Sequence, residues 1–167
     1  MIMRGDYPAI NIKKPDGLKA DGSPWLVLVV DDSLFVTKQL CQILASEGFE
    51  IAATAANGEE AVEMYKKLYP NVDLVTMDIT MPTLDGVSAL EQIVAFNKSA
   101  VVIMISALGR HDLVKKALMS GAKNYIVKPL DRAKVLERIR STVQNMETAK
   151  SVTERNEVAA KPGLVKS

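Results

Sequence analysis

Four apolar runs in this chain each stop at a polar residue: W-L-V-L-V-V at Asp31-Asp32, D-L-V-T-M at Asp78, V-V-I-M-I at Ser106, and N-Y-I-V at Lys128. If the runs are parallel strands of one sheet, these residues share one edge. That edge then carries three carboxylates, a hydroxyl and an ammonium. Three carboxylates held together need a cation, because each raises the cost of ionising the next. A site of this composition suits phosphoryl chemistry better than proton shuttling.

Each member also has a plainer reading. Asp31 or Asp32 can cap a helix, although one cap suffices and a second carboxylate adds repulsion. Asp78 can be a turn residue ahead of T-M-P-T-L-D-G, Ser106 can cap a helix starting near Arg110, and Lys128 can be a solvated lysine. Their joint occurrence at four run ends favours the site.

The elements that must position these groups are legible in the periodicity. Short β-rich runs begin near residues 26, 50, 73, 101 and 124. The intervals suit a strand plus one crossover helix. Ser33 precedes an apolar stripe of Phe35, Val36, Gln39, Leu40, Ile43 and Leu44, which Gly48 ends. Asn57 and Glu60 resemble a capping box before Ala61, Met64, Tyr65 and Leu68, with Pro70 beyond. Val87, Leu90, Ile93 and Val94 make a third stripe. Leu113, Val114, Ala117 and Leu118 make a fourth, stopped at Gly121. Asp131 can cap a fifth, through Val135, Leu136, Ile139, Val143 and Met146. Five strands alternating with five helices predict an α/β fold, a doubly wound five-stranded parallel sheet covered on both faces. Function in such sheets sits at the carboxyl ends of the strands. The second run, I-A-A-T-A-A, ends without a charge, as an edge strand away from the crevice would.

Composition narrows the class. A hydrophobic share of 48%, a charged share of 25% and a net charge of +1 fit an ordinary soluble domain and argue for neither nucleic acid nor an anionic membrane. No apolar stretch is long enough to span a bilayer, and no signal peptide is evident, so a cytoplasmic location without membrane insertion is expected. The single cysteine, Cys41, excludes an intramolecular disulfide and reads as a core residue. Residues 1–24 form an extension rich in turn formers, with a short extended piece around Ala9–Ile12. Residues 25–147 form the domain, and 148–167 a tail read as mobile or loosely docked. The last helix could run past Met146, but the sequence there lacks a sustained apolar face. His111 has no partners of a suitable type and is assigned no role.

V-L-V-V-D-D-S, M-D-I-T-M-P-T-L-D-G, M-I-S-A and Y-I-V-K-P, in this order, resemble the receiver domain of two-component response regulators. The resemblance spans about residues 25–147 and is nearest to the stand-alone chemotaxis type, CheY-like. It implies a flavodoxin-like sheet of order 2-1-3-4-5, which is the family's own order rather than an independent derivation. It also implies that Asp78 is the phosphoacceptor, whose carboxylate attacks the phosphorus of a kinase phosphohistidine. Asp31, Asp32, Asp78 and the backbone carbonyl of Thr80 would hold Mg²⁺, with Mn²⁺ as an alternative. Lys128 would contact the phosphoryl oxygens, and the Lys128–Pro129 bond would be cis. Ser106 and Tyr125 would form the switch, reshaping a face of the fourth helix, fifth strand and fifth helix. That face carries Lys115, Lys116, Lys123, Arg132, Lys134 and Arg138, which suits an acidic partner segment.

The implied partners are a CheA-like histidine kinase, the flagellar motor switch protein and a CheC/CheX-type phosphatase, with the receiver a monomer. Two positions that tune phosphoryl lifetime in the family are Thr80 and Leu108 here. Leu108 cannot orient a hydrolytic water, so slow self-dephosphorylation is expected. A phosphorelay intermediate, passing phosphate to a histidine phosphotransfer protein, would use the same site. An Mg²⁺-dependent aspartyl phosphohydrolase would need a general acid two residues after its nucleophile, where this chain has Thr80. Small-molecule turnover is therefore not expected, and a tail of this length leaves no room for a DNA-binding output module.

Overall fold

The computed structural model describes residues 14–160, with side chains described through residue 156. Strands and helices alternate in chain order: β1 Leu26–Val30, α1 Leu34–Ser46, β2 Glu50–Ala55, α2 Gly58–Leu68, β3 Leu74–Asp78, α3 Gly86–Phe96, β4 Val102–Ser106, α4 His111–Met119, β5 Asn124–Val127 and α5 Arg132–Ala160. The strands form one parallel sheet in the order β2-β1-β3-β4-β5. The expected fold class and order are both observed.

Burial follows position in the sheet. All five residues of β3 and of β4 are buried, as strands covered on both faces must be. β2 lies at an edge and is mostly half-exposed, which explains why its run lacks a buried polar terminus. Alternate side chains feed two cores. Leu28, Val75, Met77 and Met104 pack under α2, α3 and α4, with Leu90, Ile93 and Ala117. Val27, Val29, Leu74, Ile103 and Ile105 pack under α1 and α5, with Leu40, Leu44, Val135 and Ile139. Each large aliphatic side chain so buried contributes about 1.5–3 kcal/mol, which outweighs weak intrinsic strand preference. Cys41 packs half-buried against the second core, and burial pushes its thiol pKa up.

Capping largely follows the expected residues. Ser33 Oγ accepts from Val36 N at 3.3 Å, and Asn57 Oδ1 from Glu60 N at 2.8 Å. The Glu60 carboxylate accepts from Ala56 N at 3.2 Å, so the box closes one residue early. Asp131 Oδ1 accepts from Lys134 N at 3.2 Å, opening α5. Ser106 caps nothing. α4 starts at His111 behind Arg110, with no side-chain cap bond, because Ser106 is still the last residue of β4.

Regular structure reaches beyond residues 25–147 at both ends. α5 continues unbroken to Ala160, along the stretch past Met146 that the sequence allows as helix. Its outer turns carry Val152 exposed and lack an apolar stripe, which is why periodicity fades before the helix ends. Residues 14–24, in turn, form a strap laid on the domain. Gly17 N donates to Glu47 O at 2.8 Å, and Trp25 N donates to Gly17 O at 2.8 Å. A Cβ on Gly17 would lie 2.2 Å from Phe49 N, so only glycine permits this approach. The piece around Ala9–Ile12 lies outside the described residues. Among the described residues, no helix is long and apolar enough to cross a membrane.

Candidate functional site

Parallel register brings the strand ends together. Val30 pairs with Met77, Asp78 with Ile105, and Ser106 with Val127, so Asp31, Asp78, Ser106 and Lys128 all lie at the carboxyl edge of the sheet. Asp31 and Asp78 are buried, at 3% and 4% exposure, while Asp32 is exposed. Carboxylate oxygens of Asp31, Asp32 and Asp78 lie within 4.8 Å of one another. The Lys128 ammonium stands 3.2 Å from Asp31 Oδ2 and 3.4 Å from Asp78 Oδ1. The Lys128–Pro129 bond is cis, as expected.

The surrounding backbone fixes these carboxylates. Asp31 Oδ1 accepts from Ser33 N at 2.8 Å, and Asp78 Oδ1 from Thr80 N at 3.4 Å. Gly86 N donates to Ile79 O at 2.8 Å, pinning the start of α3 beneath the end of β3. A Cβ at Gly86 would lie 2.1 Å from the Asp78 carbonyl oxygen, so this contact requires glycine. The D-G pair at 85–86 signals only a turn in sequence, and its close approach to Asp78 was not legible there.

Electrostatics show what the cluster lacks. Burial, then the neighbouring Asp31 charge, pushes the Asp78 carboxyl up from 3.8 to about 6, against the opposing pull of Lys128. For Lys128, burial alone would lower the ammonium, but the carboxylates of Asp78 and Asp31 outweigh it and hold it above its ordinary value. Three carboxylates and one ammonium leave a formal charge of −2 when all are ionised, which a divalent cation would balance. Asp31 Oδ2 is buried and makes no hydrogen bond among the described residues, although the Lys128 ammonium lies within ion-pair distance. A buried carboxylate oxygen whose sole described neighbour of opposite charge is that ammonium, in an all-oxygen donor set, fits Mg²⁺.

The two expected switch residues have other partners in this structure. The Ser106 hydroxyl donates to Ala107 O at 3.0 Å. The half-buried Tyr125 ring lies against Arg138, 4.9 Å from ring centroid to guanidinium carbon. Thr80 is exposed at the mouth, and Leu108 is 79% exposed on the β4–α4 loop. Leu34 and Phe35, at the start of α1 just after the acidic pair, are 68% and 76% exposed. Their spacing suggested core stripe membership for Phe35, but the helix turns that residue outward.

Residues 27–140 match the response regulator receiver domain, and the chain belongs to that family. Within it the chain is CheY-like. It is 62% identical over 144 residues to the chemotaxis protein CheY of Treponema pallidum (strain Nichols), covering 86% of this chain and 100% of that protein. It is 47% identical over 117 residues to CheY of Bacillus subtilis (strain 168), covering 70% and 96% respectively. Among solved structures, a chain of the CheX–CheY–BeF₃–Mg²⁺ complex from Borrelia burgdorferi is 60% identical with a TM-score of 0.76, covering 78% of this chain and 98% of that one. The acidic cluster is therefore the Mg²⁺ and phosphoryl site of a receiver that undergoes its own phosphorylation, and the phosphohydrolase reading falls away.

Proposed function

We propose that Asp78 is the phosphoacceptor of a chemotaxis receiver, and that its phosphorylation switches the α4-β5-α5 face. The observation that carries this is the Lys128 ammonium lying between Asp31 and Asp78, at 3.2 and 3.4 Å, beside three mutually close carboxylates. An Asp78 oxygen attacks the phosphorus of a kinase phosphohistidine. The O–P bond forms as the P–N bond breaks, and the electron pair leaves with the imidazole. Asp31, Asp32, Asp78 and the Thr80 carbonyl are the ligands for Mg²⁺, or for Mn²⁺ in its place. Bound there, the cation supplies charge neutralisation for the transferring group. Lys128 contacts a phosphoryl oxygen and offsets the added charge. Ser106 turns from Ala107 O toward the phosphoryl group, and Tyr125 follows into the space it vacates.

The partner set is a CheA-like kinase, the flagellar motor switch and a CheX-type phosphatase, in a cytoplasmic monomer. The phosphatase has the firmest support, because the related Borrelia burgdorferi protein is in complex with CheX. Five basic residues of the switch face, Lys115, Lys116, Lys123, Lys134 and Arg138, are exposed there for an acidic segment. Arg132 is turned away and bonds Ser46 Oγ and Glu47 Oε1, at 2.6 and 3.2 Å.

Labelling by radioactive acetyl phosphate tests the assignment. The intact chain should take up one phosphoryl group with Mg²⁺ and none with EDTA, and Asp78→Asn should take up none. Full labelling of Asp78→Asn would overturn it.

A further inference from the structure

We propose that Arg138 is a positioning residue of the switch: its guanidinium holds the Tyr125 ring at the open edge of the sheet and must release it when the switch turns. The inference rests on reading Tyr125 as the switch aromatic.

β5 is an edge strand, and its side chains alternate between the two faces. Ile126 packs into the core under α1 and α5, whereas Tyr125 packs against the opposite core, under α4. Arg138 springs from α5, on the face that Tyr125 does not point to. Its guanidinium nevertheless lies 4.9 Å from the Tyr125 ring centroid, so the side chain reaches round the free edge of β5.

The base of this arm is fixed. Asn124, the residue before Tyr125, donates from Nδ2 to Arg138 O at 3.2 Å and to Thr142 Oγ1 at 3.1 Å. Among the described residues no carboxylate forms an ion pair with Arg138, so nothing competes with the ring for the guanidinium. A flat guanidinium on the ring face is a contact that lysine makes less well.

The contact accompanies the arrangement of the switch seen here. In this structure the Ser106 hydroxyl donates to Ala107 O while the Arg138 guanidinium lies over the ring. An inward turn of Tyr125 would carry the ring from the edge and break the contact. A contact made in one of two states biases their equilibrium by its own strength. An exposed cation–π contact corresponds to about a two- to fivefold bias toward the unphosphorylated arrangement.

The test is beryllofluoride titration of the intact chain with Mg²⁺, comparing wild type, Arg138→Gln and Arg138→Lys. Fluorotyrosine labelling reports the ring by ¹⁹F NMR, with the Tyr125 signal assigned from Tyr125→Phe. Arg138→Gln should bind beryllofluoride about two- to fivefold more tightly, and its free Tyr125 signal should move toward the bound position. Arg138→Lys should lie between. Loss of a cation alone would weaken binding of an anion, so a gain has the diagnostic sign. Unchanged or weaker binding by Arg138→Gln, with a wild-type Tyr125 signal that does move on binding, would overturn the role of Arg138 alone. A wild-type signal that fails to move would remove Tyr125 as the switch and the inference with it.

Discussion

Arg140 clasps Asp16 across 124 residues of sequence, with Nε and Nη2 donating to the two carboxylate oxygens at 3.0 and 2.9 Å. The fork joins α5 to the strap that precedes β1. The two partners are unequally placed, because the Asp16 side chain is 7% exposed and that of Arg140 is 37% exposed. Either substitution breaks the same bidentate fork. Arg140→Ala and Asp16→Ala should therefore each lower the urea midpoint, and the double variant should lose less than the sum of the two single losses. Fully additive losses would refute this account of the strap.

That strap marks the limit of what the sequence makes legible. The strand ends at Asp31, Asp78, Ser106 and Lys128 are visible because apolar runs stop there, and parallel pairing leaves them one edge to share. Ser33 and Asn57 are visible as caps because local chemistry alone decides them. Asp16 is not visible, since its meaning lies in Arg140 and no local pattern links them. Arg132 illustrates the same limit. Sequence places it among the basic residues of the switch face, but its direction is set by Ser46 and Glu47 at the end of α1, far away in sequence. The reach of Arg138 to Tyr125 round the sheet edge is likewise a property of side-chain path, not of spacing.

Asp78 sets a pH dependence for the protein without divalent cation. Its carboxyl is raised from 3.8 to about 6 by burial and by Asp31, so the folded state prefers it protonated. The stability this contributes is complete below about 4 and is lost as pH rises through about 6. Asp78→Asn removes the penalty that remains above 6. In EDTA at neutral pH the variant should melt roughly 2–5 °C above wild type. The difference should vanish as pH falls toward 4, and should shrink at neutral pH when saturating Mg²⁺ stabilises wild type. A variant that melts lower than wild type in EDTA would contradict this.

Thr76 offers a stability gain away from the chemistry. It is fully buried in mid-β3, beside Val29 and Ile103 on the neighbouring strands, and its hydroxyl has no hydrogen-bond partner among the described residues. An orphaned buried hydroxyl costs about 1–3 kcal/mol, and valine replaces it with a methyl group of similar shape. Thr76→Val should raise the melting midpoint by about 2–4 °C, with acetyl phosphate labelling at full stoichiometry. A lower midpoint would mean that the hydroxyl has a partner, such as a bound water, that valine displaces.

If Asp78 is the phosphoacceptor, Leu108 should leave the phosphorylated state long-lived. It stands on the β4–α4 loop two residues past Ser106, and at 79% exposure it offers no acid or amide to orient an attacking water. Thr80, exposed two residues past Asp78, is a hydroxyl and a weak base. Neither can withdraw a proton from water as a carboxylate would, a function worth about 10²–10⁴-fold where it is well placed. The phosphorylated chain alone should therefore lose its label over minutes rather than seconds. Leu108→Glu, whose side chain can approach the phosphoryl group without displacing any core residue, should shorten that lifetime by about tenfold, the modest end of what a loosely placed base supplies. Addition of a CheX-type phosphatase should accelerate wild type much more than the variant supplies internally. A wild-type lifetime of a few seconds without phosphatase would show that water is activated by a group other than these two side chains.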